Sequence, residues 1–423
     1  MFQGVIPIGD GFKLQEEDLA RFGYSPTEHP AIIKPYVIGM DIVRVPKKKW
    51  IIDLFGFDES QVARSFPQIY QHIYETVRPV RLQNREPSRK KNWWLFARSN
   101  EELRAAIKPL NKFIATPDTS KFKPFTLLDA RTLPDAQVYC IASEDAWILG
   151  ILESLIHQTW LKKIAPRMGK GNDLRWKPAV VFDLFPFPDP NPEQKEKIRE
   201  LGDRLDAHRK KVQADHPDIT ITGMYNLLEK LRAGEPFTDK DREYNDRALV
   251  ATLKQIHDEL DIAVLEAYGW EDLKDEGERV KDEVDEIILE RLVALNAERA
   301  EEERNGLIRW LRPDYQAPKQ APATQQVLEG MPETEAEVIA PVEQQKLPAS
   351  LAEQFTAIRN LLRTQGGEWS VEQVAAQFKN ASRKKKAIRE CLDLMVSLNI
   401  LAVHTETEDS SPRWYSAELQ QAS

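Results

Sequence analysis

Apolar residues change their spacing several times along the chain, and each change predicts a different kind of element. Between residues 30 and 57 they are dense, β-branched and aromatic. "AIIKPYVIGMDIV" and "KKKWIIDLFGF" read as strands separated by Pro46 and Lys47 to Lys49. The period then becomes helical. Phe66, Ile69, Tyr70, Ile73, Tyr74 and Val77 fall on one face, after a capping-box spacing at Ser65 and Gln68 with Pro67 near the start, and Arg78-Pro79 ends the run. Residues 92–150 mix both periods. "NWWLFAR", "KFIAT" and "AQVYCIAS" predict strands, with a short helix at Glu101 to Lys108. "EDAWILGILESLIHQTWLKKI" predicts one strongly apolar helix ending near Ile164, and "VVFDLFPFPDPNP" is too rich in proline to be helical.

From Glu193 onward long amphipathic helices take over, the last of them ending near "LIRWLRP". Residues 316–348 hold five prolines among Ala, Gln and Glu and lack aromatic side chains, which predicts a flexible linker. In the tail, Leu351, Phe355, Ile358 and Leu362 mark a helix stopped by Gly366-Gly367. Ser370 and Gln373 have capping-box spacing. A further helix from about Ser382 places Ile388, Cys391, Leu392, Met395 and Leu398 inward. "NILAVHTE" and "RWYSA" read as a hairpin, so the tail has the order of a winged helix. The expected fold class is α+β: a mixed part at 1–190, a helical part at 191–315, the linker at 316–348 and a winged-helix-like tail at 349–423.

Charge changes this picture in one place. The chain is acidic, with net charge -9, yet "RPVRLQNREPSRKKNWWLFAR" (Arg78 to Arg98) carries seven basic residues, one acid and two tryptophans. Basic side chains interleaved with aromatic ones suit nucleic acid: cations meet phosphates, Arg pairs with guanine and Trp stacks on bases. The structural alternative is a solvated loop before a strand that buries one of Trp93 and Trp94, since neighbours on a strand face opposite ways. Lys47, Lys48 and Lys49 form a second basic group. In the tail, Arg383, Lys384, Lys385 and Lys386 open the third helix. That is the element a winged helix places in a major groove, although many such modules bind proteins instead.

Catalytic patterns are sparse. Two cysteines suggest neither a disulfide framework nor a cysteine metal site. The seven histidines lack metal-ligand spacing, and no Walker A or G-x-S-x-G sequence occurs. "GDGF" at Gly9 to Phe12 reads as a turn. Asp…Glu-x-Lys spacings near Glu193 to Lys197 lie in a segment dense in Glu and Lys, where chance produces them. No long apolar run predicts a membrane helix, and the N-terminus does not read as a signal peptide, so a cytoplasmic location is expected.

Several stretches together resemble one family. "GDGFKLQEEDLARFG", "IIKPYVIGMDIVRVPKKKWIIDLFGF", "YETVRPVRLQNR" and "AWILGILESLIHQTWLKKI" resemble the target-recognition region of large single-chain adenine-specific DNA methyltransferases. These belong to type IIL restriction–modification and to BREX- and DISARM-like phage defence. "VVFDLFPFPDP", "HDELDIAVLEAYGW" and "ALNAERAEEERNGLIRWLRP" resemble their C-terminal helical part. The resemblance spans about residues 1–315, in the family's order, and leaves out the tail.

The resemblance implies double-stranded DNA as partner. It makes Lys47 to Lys49 and Arg89, Lys90 and Lys91 the expected phosphate anchors, with Arg78, Arg81 and Arg85 as base readers. Family members also hold S-adenosylmethionine on a glycine-rich loop and a flipped adenine on an Asn/Asp-Pro-Pro-Tyr/Phe loop. Neither sequence occurs here. No catalytic, cofactor or metal residue is therefore assigned, and the cofactor is expected on a separate methyltransferase core. The gene is then split, truncated or mis-started. A non-enzymatic DNA- or protein-binding scaffold of a defence complex, and a magnesium-dependent nuclease, are the rival expectations.

Overall fold

The computed structural model describes residues 1–169, 173–274, 281–316, 347, 354, 357–359, 361–362, 369–379, 384–397, 401–404 and 413–416. The chain divides into two compact units, Met1–Thr324 and Gln325–Ser423.

The first unit is α+β. One antiparallel sheet has the strand order Phe2–Gln3, Val138–Ile141, Lys112–Pro117, Thr126–Asp129, with Ile114 opposite Ile141 and Leu127. A second has the order Lys13–Leu14, Trp50–Ile52, Ile33–Val37, Leu133–Pro134, and only its last pairing is parallel. Thr119–Ser120, Asp173–Arg175 and Arg167–Met168 form a small third sheet, a hairpin without a counterpart in the expected elements.

Several elements depart from the expected ones for local reasons. The strand expected through Val43 stops at Val37, and Gly39–Val43 is a helix. The Asp41 carboxylate accepts the Ile38 N–H at 3.0 Å, which starts that helix. The helix expected from Ser65 begins at Pro67, because a separate helix, Glu59–Ser65, opens at an Asp58/Gln61 capping box and runs up to it. The long apolar helix is two, Ala146–Glu153 and Leu155–Ile164. Ser154 is extended between them (φ -69°, ψ 159°), and the Leu155 N–H donates to Asp261 Oδ1 at 2.6 Å instead of continuing the ladder.

Hydrophobic packing explains how the unit holds together. Phe12, Leu14, Ile33, Tyr36, Trp50, Ile52, Val62, Ile69, Ile73, Val77 and Trp93 share one core beneath the N-terminal helices. A larger core runs from Ile114 through both halves of the broken helix to Ile198, Leu205, Leu253, Leu260 and Leu292, so apolar packing is continuous across residue 190. Helices Ala146–Glu153 and Pro192–Asp215 approach closely because Gly202 lacks a side chain: a Cβ there would lie 2.4 Å from the Ala146 carbonyl oxygen. Beside this crossing, the buried Arg209 guanidinium donates to Glu153 Oε1 at 2.8 Å.

In the second unit, helices Val371–Ala376 and Lys385–Ser397 pack with the antiparallel hairpin Leu401–His404/Arg413–Ser416. Ser370 and Gln373 form the expected capping box, and Trp369 bridges to Trp414 beside the hairpin. Ile358, Leu362, Ile388, Cys391, Leu392 and Met395 are buried as the spacing predicts. The expected linker lies outside the described residues apart from Gln316 and Leu347, and so do Arg383 and Leu398.

Candidate nucleic-acid interface

The basic stretch is neither a loop nor a strand. It folds into two short helices, Arg78–Leu82 and Pro87–Lys91, each with a proline in its first turn. Residues 92–94 form a turn, Arg98 bridges to Ile6, and both tryptophans pack inward to different degrees. Trp93 is buried with its indole N–H on Glu59 Oε1 at 3.2 Å. Trp94 is half-buried and donates to the Phe57 carbonyl at 2.9 Å. One tryptophan of the pair is expected in the core: Trp93 is there, and Trp94 packs against the same core, so both rings anchor the segment.

The basic side chains then sort by environment. Arg85, Lys90 and Lys91 are exposed. Arg89 is half-buried and paired with Glu86 at 2.9 Å. Arg78 is half-buried, with its guanidinium 4.7 Å from the Tyr74 ring centroid and 6.0 Å from that of Trp93, a cation–π arrangement. Arg81 is fully buried. Its Nη2 donates to the Pro7 carbonyl at 2.9 Å and to the Leu95 carbonyl. Burial, followed by the positive charge of Arg89, lowers its pKa to about 10, and it stays charged at neutral pH. The expectation that Arg81 reads a base is therefore corrected, because a side chain committed to two backbone carbonyls beneath the surface does not reach a groove.

The second basic group lies on the connection into strand Trp50–Ile52. Lys47 and Lys48 are exposed, whereas Lys49 is half-buried and lies 3.5 Å from the buried Asp41 carboxylate. In the second unit Lys384, Lys385 and Lys386 are exposed at the start of their helix, and Lys385 pairs with Glu372 at 3.2 Å. Met40, Tyr74, Val80 and Leu82 are large exposed apolar side chains near these groups in sequence. Val80 and Leu82 are legible in the sequence only once Arg78–Leu82 is known to be a helix with Arg81 turned inward.

A different concavity, about 1330 Å³, opens in the helical part, with Lys123, Glu153, Tyr225, Arg232, His257 and Asp261 among its lining. Its buried polar groups are engaged with one another. Tyr225 Oη and His257 Nε2 are 2.7 Å apart, and Lys123 donates to the Pro117 and Asp118 carbonyls. Asp261 accepts the Leu155 N–H and faces Arg232 at 3.5 Å, and burial pushes its pKa up to about 6. These contacts tie the buried polar groups of the concavity to partners within the fold. Among the described residues no group of three or more His, Cys, Asp or Glu is placed to hold a metal, and no helix is long and apolar enough to cross a membrane.

Comparison with known proteins finds relatives of the N-terminal part. Residues 1–189 match the family model described as the MmeI target recognition domain. This segment is similar to target recognition domains of the MmeI type. DNA methyltransferase A of Bacillus subtilis (strain 168) is 25% identical over 222 residues, which are 52% of this chain and 22% of that protein. The solved type IIL restriction-modification enzyme MmeI, in complex with DNA, matches 70% of this chain and 35% of its own with a TM-score of 0.51 and 20% identity, which shows a shared fold. The chain thus spans well under half of either relative. Arg78, Arg81, Arg85, Arg89, Lys90, Lys91 and Lys47 to Lys49 all lie in the matched segment.

Proposed function

We propose that this chain selects a DNA target for an adenine-specific methyltransferase of a restriction–modification or phage-defence system. The observation that carries this reading is the match of residues 1–189 to a target recognition domain, together with the exposed cations that domain displays. Arg85, Lys47, Lys48, Lys90 and Lys91 are the contacts we assign to duplex DNA. Arg89 and Lys49 are already neutralised locally and serve as secondary contacts, and Arg78 is held against aromatic rings at the edge of the surface. Phosphate contacts orient the domain and base contacts choose the site. In the tail, Lys384 to Lys386 are a second DNA contact in the winged-helix reading.

Methyl transfer requires S-adenosylmethionine, and the residues of this chain do not fit it. The two loops that hold cofactor and adenine in the family are absent from the sequence, and the charged groups of the large cavity are tied up in internal pairs. A methyltransferase core is the partner we propose, in the cytoplasm where the DNA is.

The test is a salt titration of binding to duplex DNA. Each phosphate contact contributes a slope of roughly -0.9 in log K against log salt. Replacing Arg89, Lys90 and Lys91 by Ala flattens the plot by at most about 2.7, and by about 1.8 if the Glu86 pairing keeps Arg89 out of the count. Unchanged affinity and slope would remove this surface from the interface. Absence of DNA binding at low salt favours the scaffold role instead.

A further inference from the structure

The sequence singles out "GDGF", which reads as no more than a turn, and Arg81, which turns inward. The structure joins them. Asp10–Phe12 forms a short 3-10 turn entered through Ile8 and Gly9, both at positive φ (45° and 129°). The turn lies against the end of helix Pro67–Thr76. A Cβ on Gly11 would sit 2.0 Å from Thr76 Oγ1 and 2.5 Å from Thr76 Cβ, and the Gly11 carbonyl is 2.8 Å from His72 Nε2. This close seating brings the Pro7 carbonyl to 2.9 Å from Arg81 Nη2. The guanidinium also lies 5.9 Å from the Phe12 ring centroid, and Phe12 packs edge-on against Phe96.

Arg81 thus joins three segments: the N-terminal turn, its own helix Arg78–Leu82, and the Leu95 carbonyl at the far end of the basic stretch. Helices Arg78–Leu82 and Pro87–Lys91 have five residues each, too few to hold a shape unaided. The exposed Arg85, Lys90 and Lys91 lie in sequence between the two anchored ends, Arg81 and Leu95. We propose that Arg81, seated on the Gly9–Phe12 turn, is a positioning residue that sets the orientation of the basic face. It binds no DNA itself. Its charge gains two carbonyl acceptors, both at Nη2, which stands at the far end of a side chain one atom longer than lysine's, so a neutral or shorter side chain would not reach them.

This inference rests on the DNA reading above, and its test separates the two. Arg81→Lys keeps the charge but shortens the reach to the two carbonyls, whereas Gly11→Ala leaves Arg81 intact but displaces the turn that carries the Pro7 carbonyl. Neither removes an exposed cation. Both are expected to weaken binding to a random-sequence duplex about tenfold and to flatten the salt slope by about 0.9 or more, as simultaneous phosphate contacts are lost. The slope is read only below the unfolding temperature of each variant, so reduced stability alone does not move it. A wild-type slope in both variants overturns the positioning role while leaving the DNA reading intact. No binding by the wild-type chain overturns that reading instead. Should either variant fail to fold, amide hydrogen exchange of the free wild-type chain decides. Peptides covering 77–95 are expected to be protected without DNA, and protection that arises only when DNA is added overturns the proposal.

Discussion

Replacing Asp53 by Asn removes the charge of a buried carboxylate that two cations grip in the N-terminal part. Asp53 is buried at the end of strand Trp50–Ile52. Arg104 donates to both of its oxygens, at 2.7 and 2.9 Å, and Lys34 Nζ lies 2.7 Å from Oδ2. Burial pushes the carboxyl pKa up, and the hydrogen bonds and charge of Arg104, then of Lys34, outweigh it and leave it below the usual range. Breaking a buried pair by neutralising one partner costs roughly 3–5 kcal/mol. Here Lys34 is 32% exposed and regains water, so about 3 kcal/mol is the better expectation. The first unit ends at Thr324. At roughly 2.1 cal/mol/K per residue its unfolding entropy is roughly 0.7 kcal/mol/K, which makes the shift in Tm about 4 °C. Urea denaturation at pH 7 and calorimetry measure both. The sign with pH follows from the lowered pKa. The stabilisation is fully present above the unfolded value near 3.8 and is lost as pH falls through the lower folded value. The gap between Asp53→Asn and wild type therefore narrows in acid. A gap under about 0.5 kcal/mol at pH 7, or one that widens toward pH 3, refutes the reasoning.

Two further substitutions probe the helical part. Arg209→Met leaves Glu153 buried without its cation and is expected to destabilise by about 3–5 kcal/mol in urea, whereas Arg209→Met with Glu153→Met recovers most of the loss, and a double variant no better than the single one would contradict this account. Gly202→Ala gains about 1 kcal/mol in helix propensity yet is expected to lower stability by about 1–3 kcal/mol, because its Cβ meets the Ala146 carbonyl, and a stabilised variant in the same denaturation would show that the helices part freely.

Local pattern makes the helices Glu101–Ile107 and Pro192–Asp215, the strands Lys112–Pro117 and Val138–Ile141, and the tail capping box at Ser370 legible: the helices have apolar residues at helical spacing, the strands are short runs of mostly buried residues, and the cap is set by local hydrogen bonding. The excess of cations between Arg78 and Lys91 is equally visible in the sequence, as are the motifs shared with target recognition domains. Tertiary structure decided the rest. Asp261, more than 100 residues away, takes the Leu155 amide at the break between the two halves of the long apolar helix. Whether a cation in the basic stretch faces solvent or the core depends on where its neighbours lie in space. Arg81 turns inward because the Pro7 and Leu95 carbonyls converge on it, 74 and 14 residues away along the chain, and Lys49 is neutralised because Asp41 is buried beside it. A charged side chain looks the same in sequence whether water or a buried carbonyl solvates it, and only the folded backbone, by placing those acceptors, distinguishes the two.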